Sequence, residues 1–115
     1  MRQEIGYAQS QGGREYQEDV FAVVTSECVT INGVARTRRC ESMSQWRTLL
    51  VLADGMGGMG HGDVAAKLIV EEFIETYLAY TGGPDSERTI LNTCMHAANQ
   101  KIAKAVSGNR EYDGM

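Results

Sequence analysis

The feature that most constrains this chain is a short apolar run that ends in one aspartate and continues into glycines. The run is Leu-Leu-Val-Leu-Ala at 49–53, and Asp54 and a glycine-rich segment follow it. Such a run is typical of a buried strand, and a helical pattern begins near Asp63. We therefore expect Asp54 on the rim between a sheet and a helix, where Gly55 lets the main chain approach a ligand closely. Carboxylate and carbonyl oxygens are the ligands that Mg²⁺ and Mn²⁺ prefer, so the run predicts a metal site.

A second acidic element lies upstream, immediately before the apolar residues 20–24. Glu18 and Asp19 are adjacent. In an extended chain their side chains point to opposite faces, so one can reach a metal ion while the other orients a water or a neighbouring ligand. Arg14 lies close by in sequence, and its planar guanidinium suits bidentate capture of a phosphate. An arginine, an acidic pair and a strand-end aspartate together indicate phosphoryl chemistry at a metal centre.

Two spaced motifs resemble those of the metal-dependent protein phosphatase family, the type 2C serine/threonine phosphatases. They are Arg14-x-x-x-Glu18-Asp19 and Asp54-Gly55-Met56-Gly57-Gly58. The small residues at 62–66 resemble the opening of the family's first helix, and residues 113–115 resemble the start of its Gly-Met-Gly strand. The resemblance implies an α+β fold, an antiparallel β-sandwich flanked by helices in an αββα arrangement. Residues 1–115 would be the N-terminal portion of a single catalytic domain, and the fold would be incomplete in this chain.

The resemblance also implies a role for each site residue. Asp54 would bridge two metal ions, the carbonyl of Gly55 would bind one of them, and Glu18 would serve that ion directly or through water. Asp19 would hold metal-bound water, and Arg14 would bind the substrate phosphate. The cofactor would be Mg²⁺ or Mn²⁺, with two or more ions in the complete site.

The chain departs from the family pattern in its ligands and in its general acid. The family takes further metal-binding aspartates from a later Asp-Gly pair and from a C-terminal Asp-Asn pair, and the 115 residues reach neither. Asp113-Gly114 is not a replacement, because it lies where the family has the start of the Gly-Met-Gly strand. We therefore expect little or no activity from the 115 residues alone. Animal members place a histidine directly after the Asp-Gly pair, where this chain has Met56. His61 is a possible general acid or an ordinary loop histidine, and His96 is expected to be structural.

Three functions remain open at this point. The resemblance implies hydrolysis of phosphoserine or phosphothreonine in phosphoproteins by metal-activated water, opposed to a serine/threonine kinase. The missing aspartates motivate an alternative, a truncated noncatalytic module that binds a phosphoprotein or another partner. Nucleotide binding is the third, because Gly55-x-Gly57-x-x-Gly60 matches the dinucleotide fingerprint. That fingerprint expects a second parallel strand with an acidic residue about 20 positions on, whereas Glu75 falls inside a predicted helix.

Composition excludes several partners. The net charge is −4 and no basic block is present, which argues against nucleic acid as the main partner. No apolar run approaches the roughly 20 residues that span a bilayer, and the polar start lacks a signal-peptide core. A cytoplasmic location is therefore expected. Cys28, Cys40 and Cys94 show no CxxC spacing, so neither a zinc site nor a disulfide framework is indicated.

The remaining pattern predicts strands followed by helices. A weak strand is expected at 4–8 and a stronger one at 20–25, and an Asn-Gly pair at 32–33 predicts a tight hairpin. We interpret residues 26–47 as a hairpin insertion whose arginines contact a phosphoprotein or nucleotide, or else protect an exposed edge. Two helices follow, one over 63–80 and one capped by Asp85 or Ser86, which favours an antiparallel sheet covered by helices. The buried face of the first helix is expected to carry Val64, Leu68, Phe73, Ile74 and Tyr77.

Overall fold

Four strands are followed by two helices in a computed structural model that describes residues 3–36, 47–56, 60–80 and 86–115. The elements are β1 (Asp19–Val24), β2 (Val29–Ile31), β3 (Val34–Arg36), β4 (Leu49–Asp54), α1 (Gly62–Ala79) and α2 (Glu87–Gly108), with a 3₁₀ turn at Arg110–Tyr112. The strands predicted at 20–25 and 49–53 and both predicted helices are confirmed close to their expected bounds.

The strands form one antiparallel sheet in the order β3-β2-β1-β4. β1 is central: it pairs with β2 on one side and along its whole length with β4 on the other, from Asp19 opposite Asp54 to Val24 opposite Leu49. β3 and β4 are therefore the two edges of this sheet. The register also brings the start of β1 and the end of β4 to the same end of the sheet.

The core lies between one face of the sheet and α1, and α2 packs against α1 and contributes Cys94 to the same buried cluster. Because side chains alternate between the faces of a strand, the even-numbered residues of β1 and the odd-numbered residues of β4 face the helix. The buried cluster consists of Val20, Ala22, Val24, Val29, Leu49, Ala53, Ala66, Val70, Phe73, Ile74 and Cys94. The opposite face of β1 and β4 is not covered by either helix.

The buried face of α1 differs in part from the prediction. Phe73 and Ile74 are buried as expected, whereas Val64, Leu68 and Tyr77 are only half-buried. The fully packed positions are instead taken by small or β-branched residues: Ala65, Ala66 and Val70. Since α1 contacts both the sheet and α2, its burial is spread over more than one stripe, and small side chains allow its backbone to approach the sheet.

The hairpin predicted around the Asn-Gly pair is present. Asn32 and Gly33 connect β2 to β3 with φ angles of 49° and 76°, the left-handed geometry of a two-residue hairpin turn. The Asn32 side chain also accepts a hydrogen bond from the Phe21 amide at 3.0 Å, which ties the turn to β1. The strands of the hairpin end at Arg36, and the rest of the predicted insertion, residues 37–46, lies outside the described residues. The interpretation of this hairpin as an insertion stays a prediction.

Two terminal segments differ from the expectation. Residues 4–8 do not form the predicted weak strand; instead the Tyr7 ring packs on Phe21, with 5.1 Å between ring centroids. This segment is anchored to the sheet by side chains, including a hydrogen bond from Gln9 to the Asp19 carbonyl at 2.8 Å. At the other end, residues 113–115 close a turn in which the Met115 amide donates to the Tyr112 carbonyl at 3.1 Å, and they do not begin a strand.

The predicted α+β class is confirmed at the level of one antiparallel sheet with two helices. A β-sandwich needs a second sheet, and the described parts of the chain form a single one, so the sandwich remains a prediction. No helix within the described ranges combines the length and apolar character needed to cross a membrane.

Candidate metal centre

Two carboxylates meet where β1 begins and β4 ends. Asp19 and Asp54 are direct partners in the antiparallel ladder, so their side chains lie on the same face of the sheet. This is the face that the helices leave uncovered, and both residues are exposed. The sequence predicted Asp54 at the rim of a sheet, and the structure confirms that position.

The pairing geometry brings these two side chains close together. The neighbouring pair, Glu18 and Gly55, is joined by a backbone hydrogen bond of 3.1 Å from the Gly55 amide to the Glu18 carbonyl. Because hydrogen-bonded and non-bonded pairs alternate, Asp19 and Asp54 form a non-bonded pair, in which opposing Cα atoms are about 4.5 Å apart. Like charges directly opposed in this way destabilise a sheet. Within the described residues neither carboxylate is paired with a lysine or arginine, and metal binding by this pair stays a prediction.

Gly55 follows Asp54 and occupies a place that no other residue could take. It is buried, and a Cβ built on it would collide with the carbonyl oxygen of Gly62 and lie 2.6 Å from the carbonyl oxygen of Glu18. The end of β4, the start of α1 and the start of β1 therefore touch through their backbones at this point. The approach at this glycine is to the protein backbone itself, and the predicted approach to a ligand stays a prediction.

Oxygen atoms of Glu18 and Gly55 also converge. Both lie near the point that a Cβ on Gly62 would occupy: the Glu18 Oε1 atom is 2.7 Å from it and the Gly55 carbonyl oxygen 2.8 Å. One carboxylate oxygen and one carbonyl oxygen are thus neighbours beside the first residue of α1. These are the donor types that hard divalent cations prefer, so the donor chemistry fits Mg²⁺ or Mn²⁺.

The described residues do not form a complete metal site. They contain no cluster of three or more histidine, cysteine, aspartate or glutamate side chains able to hold an ion. The structure provides two separate groupings, the opposed Asp19 and Asp54 carboxylates and the neighbouring oxygens of Glu18 and Gly55. Residues 57–59 of the glycine-rich segment lie outside the described residues.

Arg14 lies in the loop before β1 and is exposed. The loop is held by Gln11, whose side-chain amide donates to the carbonyls of Arg14 and Glu15 at 2.8 and 2.9 Å. In the described part of the chain the Arg14 guanidinium makes no ion pair with Asp19 or Asp54. The structure does not pair it with these carboxylates, and its binding of a phosphate stays a prediction.

His61 immediately precedes α1, and its ring faces the C-terminal turn. The imidazole packs edge-on against Tyr112, with 5.3 Å between ring centroids and an interplanar angle of 82°. Its backbone carbonyl accepts from the Ala65 amide at 3.1 Å, while its side chain does not cap the helix. The structure shows no contact between His61 and Asp19 or Asp54. The role of His61 as a general acid stays a prediction. His96 is exposed on α2.

Gly62 is the site residue that sequence reasoning missed. Its lack of a side chain leaves room for both the Glu18 carboxylate and the Gly55 carbonyl. A signal was present in the small residues that open α1, Gly62, Ala65 and Ala66, but their spacing alone does not show what approaches them. Only the pairing of β1 with β4 reveals that Glu18 lies next to this helix start.

Comparison of the sequence with models of known protein families, with curated proteins and with solved structures gave no match. The phosphatase interpretation therefore depends on the two motifs and on the geometry of the residues that carry them.

Proposed function

We propose that this chain is the metal-binding N-terminal part of a metal-dependent serine/threonine protein phosphatase of type 2C. The observation that carries the proposal is the register that places Asp19 opposite Asp54, with Glu18 and Gly55 as the next pair. The four residues come from motifs that are distant in sequence but adjacent in the sheet. Their oxygens are the donors that Mg²⁺ or Mn²⁺ would take.

The proposed chemistry is hydrolysis of a phosphoserine or phosphothreonine ester without a phosphoenzyme. When bound, the metal would supply a water molecule of lowered pKa as the nucleophile. Asp54 and Gly55 would hold the ion, and Glu18 and Asp19 would hold it or orient its water. Arg14 would bind the phosphoryl oxygens, where a fixed positive charge stabilises the charge that develops during transfer. The substrate would be a phosphoprotein produced by a serine/threonine kinase.

A noncatalytic module that binds a phosphoprotein is the second candidate. The absence of a three-ligand cluster among the described residues supports this alternative. The exposed Arg14 would serve phosphate binding in either case. Nucleotide binding has less support, because β4 pairs antiparallel with β1 and α1 leads into a second helix, whereas a dinucleotide fold needs parallel strands joined by a helix.

Metal titration is the first test of the proposal. We expect Mn²⁺ to bind the purified chain in isothermal titration calorimetry, and we expect Asp54→Asn to abolish the binding heat. Glu27→Gln is the matched control, because Glu27 is an exposed carboxylate beyond the opposite end of β1. Absence of Mn²⁺ binding by the unmodified chain would contradict the metal proposal.

Hydrolysis of p-nitrophenyl phosphate with Mn²⁺ separates the two candidates. A version that also carries the later metal-binding aspartates of the family pattern should hydrolyse the ester, and the 115-residue chain should show little or no turnover. If the extended protein binds Mn²⁺ but remains inactive, the binding-module alternative is favoured.

A further inference from the structure

The turn that leads into Arg14 is held by a single side chain. The Arg14 amide donates to the Gln11 carbonyl at 3.3 Å, which closes a tight turn over residues 11–14. Gly12 has a φ of 61° at the second position of this turn, where glycine is favoured. Such turns usually join two paired strands, but no strand lies before β1 among the described residues. The Gln11 side chain takes the place of a strand partner by donating to the carbonyls of Arg14 and Glu15 at 2.8 and 2.9 Å.

These bonds fix the direction in which the Arg14 side chain leaves the backbone. The peptide group before the Arg14 Cα is bonded to Gln11 through its N–H, and the peptide group after it is bonded to Gln11 through its carbonyl. Because peptide groups are planar, holding the two that flank a Cα also holds its Cα–Cβ bond. Both partners of the Gln11 side chain are carbonyls, which only accept, so its amide nitrogen must face them.

The base of the same loop is tied to the start of β1 by two further glutamines. β2 pairs with β1 only along residues 22–24, so it does not reach the amide and carbonyl of Asp19, which point away from β4. The Asp19 amide donates to the Gln17 side-chain oxygen at 3.2 Å, and the Gln9 side chain donates to the Asp19 carbonyl at 2.8 Å. Gln17 also donates to the Ser10 carbonyl at 3.0 Å. The loop is therefore held at its tip and at its base.

We propose that Gln11 is a positioning residue for phosphate binding by Arg14. The inference rests on the proposed function, which assigns the substrate phosphate to Arg14. Ordering a mobile loop and a long side chain at the moment of binding costs free energy and weakens affinity. A loop that is already held by its own glutamines avoids the backbone part of this cost. Gln11 acts through Arg14 and does not itself contact the phosphate.

NMR relaxation of the unmodified chain and of Gln11→Met tests the restraint without any ligand. Methionine has nearly the length of glutamine but cannot donate to a carbonyl. We expect the order parameter of the Arg14 amide to fall from about 0.85, typical of a rigid backbone, to below about 0.6. Gln100→Met is the matched control, because Gln100 is exposed on α2, and it should leave the loop unchanged. An Arg14 amide that is mobile in the unmodified chain, or equally ordered in Gln11→Met, would overturn the proposal.

Titration with phosphoserine in the presence of Mg²⁺, followed by amide chemical shifts, tests the effect on binding. We expect Gln11→Met to weaken phosphoserine binding by about fivefold or more, because the loop must then be ordered on binding. The affinity for Mg²⁺ should stay unchanged, since the Gln11 side chain bonds only to Arg14 and Glu15 in the described part of the chain. A merely structural role would weaken the binding of both ligands. Equal weakening of both, or unchanged phosphoserine affinity, would overturn the proposal.

Arg14→Ala separates failure of this inference from failure of the proposed function. If both hold, Arg14→Ala should weaken phosphoserine binding at least as much as Gln11→Met. If Arg14→Ala weakens the binding and Gln11→Met does not, only the positioning role of Gln11 is overturned. If the unmodified chain binds no phosphoserine with Mg²⁺, or Arg14→Ala binds it equally well, the proposed phosphate site fails and the inference fails with it.

Discussion

Asp19 and Asp54 oppose each other directly across β1 and β4, on the exposed face of the sheet. The two residues are 35 positions apart in a sequence that gives no direct sign of their pairing, and each belongs to a different motif. Like charges opposed in this way destabilise a sheet, and among the described residues neither carboxylate is paired with a lysine or arginine. If a divalent cation binds here as proposed, we expect it to relieve this repulsion and to stabilise the sheet.

Replacing one of these carboxylates should have opposite effects with and without metal. Without metal, Asp54→Asn should raise the free energy of unfolding by up to about 1 kcal/mol, because it removes a like-charge cross-strand pair. With Mn²⁺ at about 100 times its dissociation constant, the unmodified chain should gain about 2.7 kcal/mol that the variant lacks. Urea unfolding with Mn²⁺ and with a chelator measures both effects. A variant that is less stable than the unmodified chain in chelator would contradict the proposed repulsion.

Gly55→Ala should disrupt the junction between β4 and α1. The new Cβ would collide with the Gly62 carbonyl and crowd the Glu18 carbonyl, and both obstacles are backbone atoms that cannot rotate away. We expect a loss of at least about 3 kcal/mol in unfolding free energy, in the range of severe core changes. Gly13→Ala is the control, because open space surrounds Gly13 and its φ is not positive. Equal stability of the two variants in urea unfolding would argue against this close approach.

Much of the fold was accessible from the sequence, because its signals are local. The Asn-Gly turn, the apolar strand at 49–53 and the Ser86 cap of α2 each follow from the residues in one short window. The prediction of a strand at 4–8 was wrong, because a short alternating pattern does not show whether a partner strand is present. The Tyr7 ring instead packs on Phe21. Local patterns thus located elements well and their partners poorly.

The candidate site was predicted as a set of residues but not as an arrangement. Asp54 and Gly55 were recognised from one stretch of sequence, and Glu18 and Asp19 from another. Only the strand register shows that the two pairs of residues are cross-strand neighbours. The contribution of Gly62 and the packing of His61 on Tyr112 depend on where α1 begins relative to the sheet and to the C-terminal turn. Such long-range contacts leave no periodic signal in a single sequence.

Phe73→Ala should be among the most destabilising substitutions in α1. The ring is 6% exposed and belongs to the cluster between the sheet and the helices. Removing it should cost about 3–5 kcal/mol of unfolding free energy, from lost burial and from the cavity left behind. Met95→Ala provides the comparison, since Met95 is 59% exposed on α2 and should change stability little. Urea denaturation of both variants checks the difference, and similar midpoints would show that the cluster is not the main core.

Cys94 should make the protein less stable at alkaline pH. Its side chain is fully buried, and this burial raises the pKa of the thiol above its ordinary value. In the unfolded chain the thiol ionises at about pH 8.5, so above that pH the unfolded state binds fewer protons than the folded state. The free energy of unfolding therefore falls as the pH rises toward the raised pKa of the folded state. Cys94→Ala should therefore lose less unfolding free energy between neutral and alkaline pH than the unmodified chain, as urea denaturation at each pH would measure. An identical pH dependence in the two proteins would mean that the Cys94 thiol ionises as readily in the folded chain as in the unfolded one.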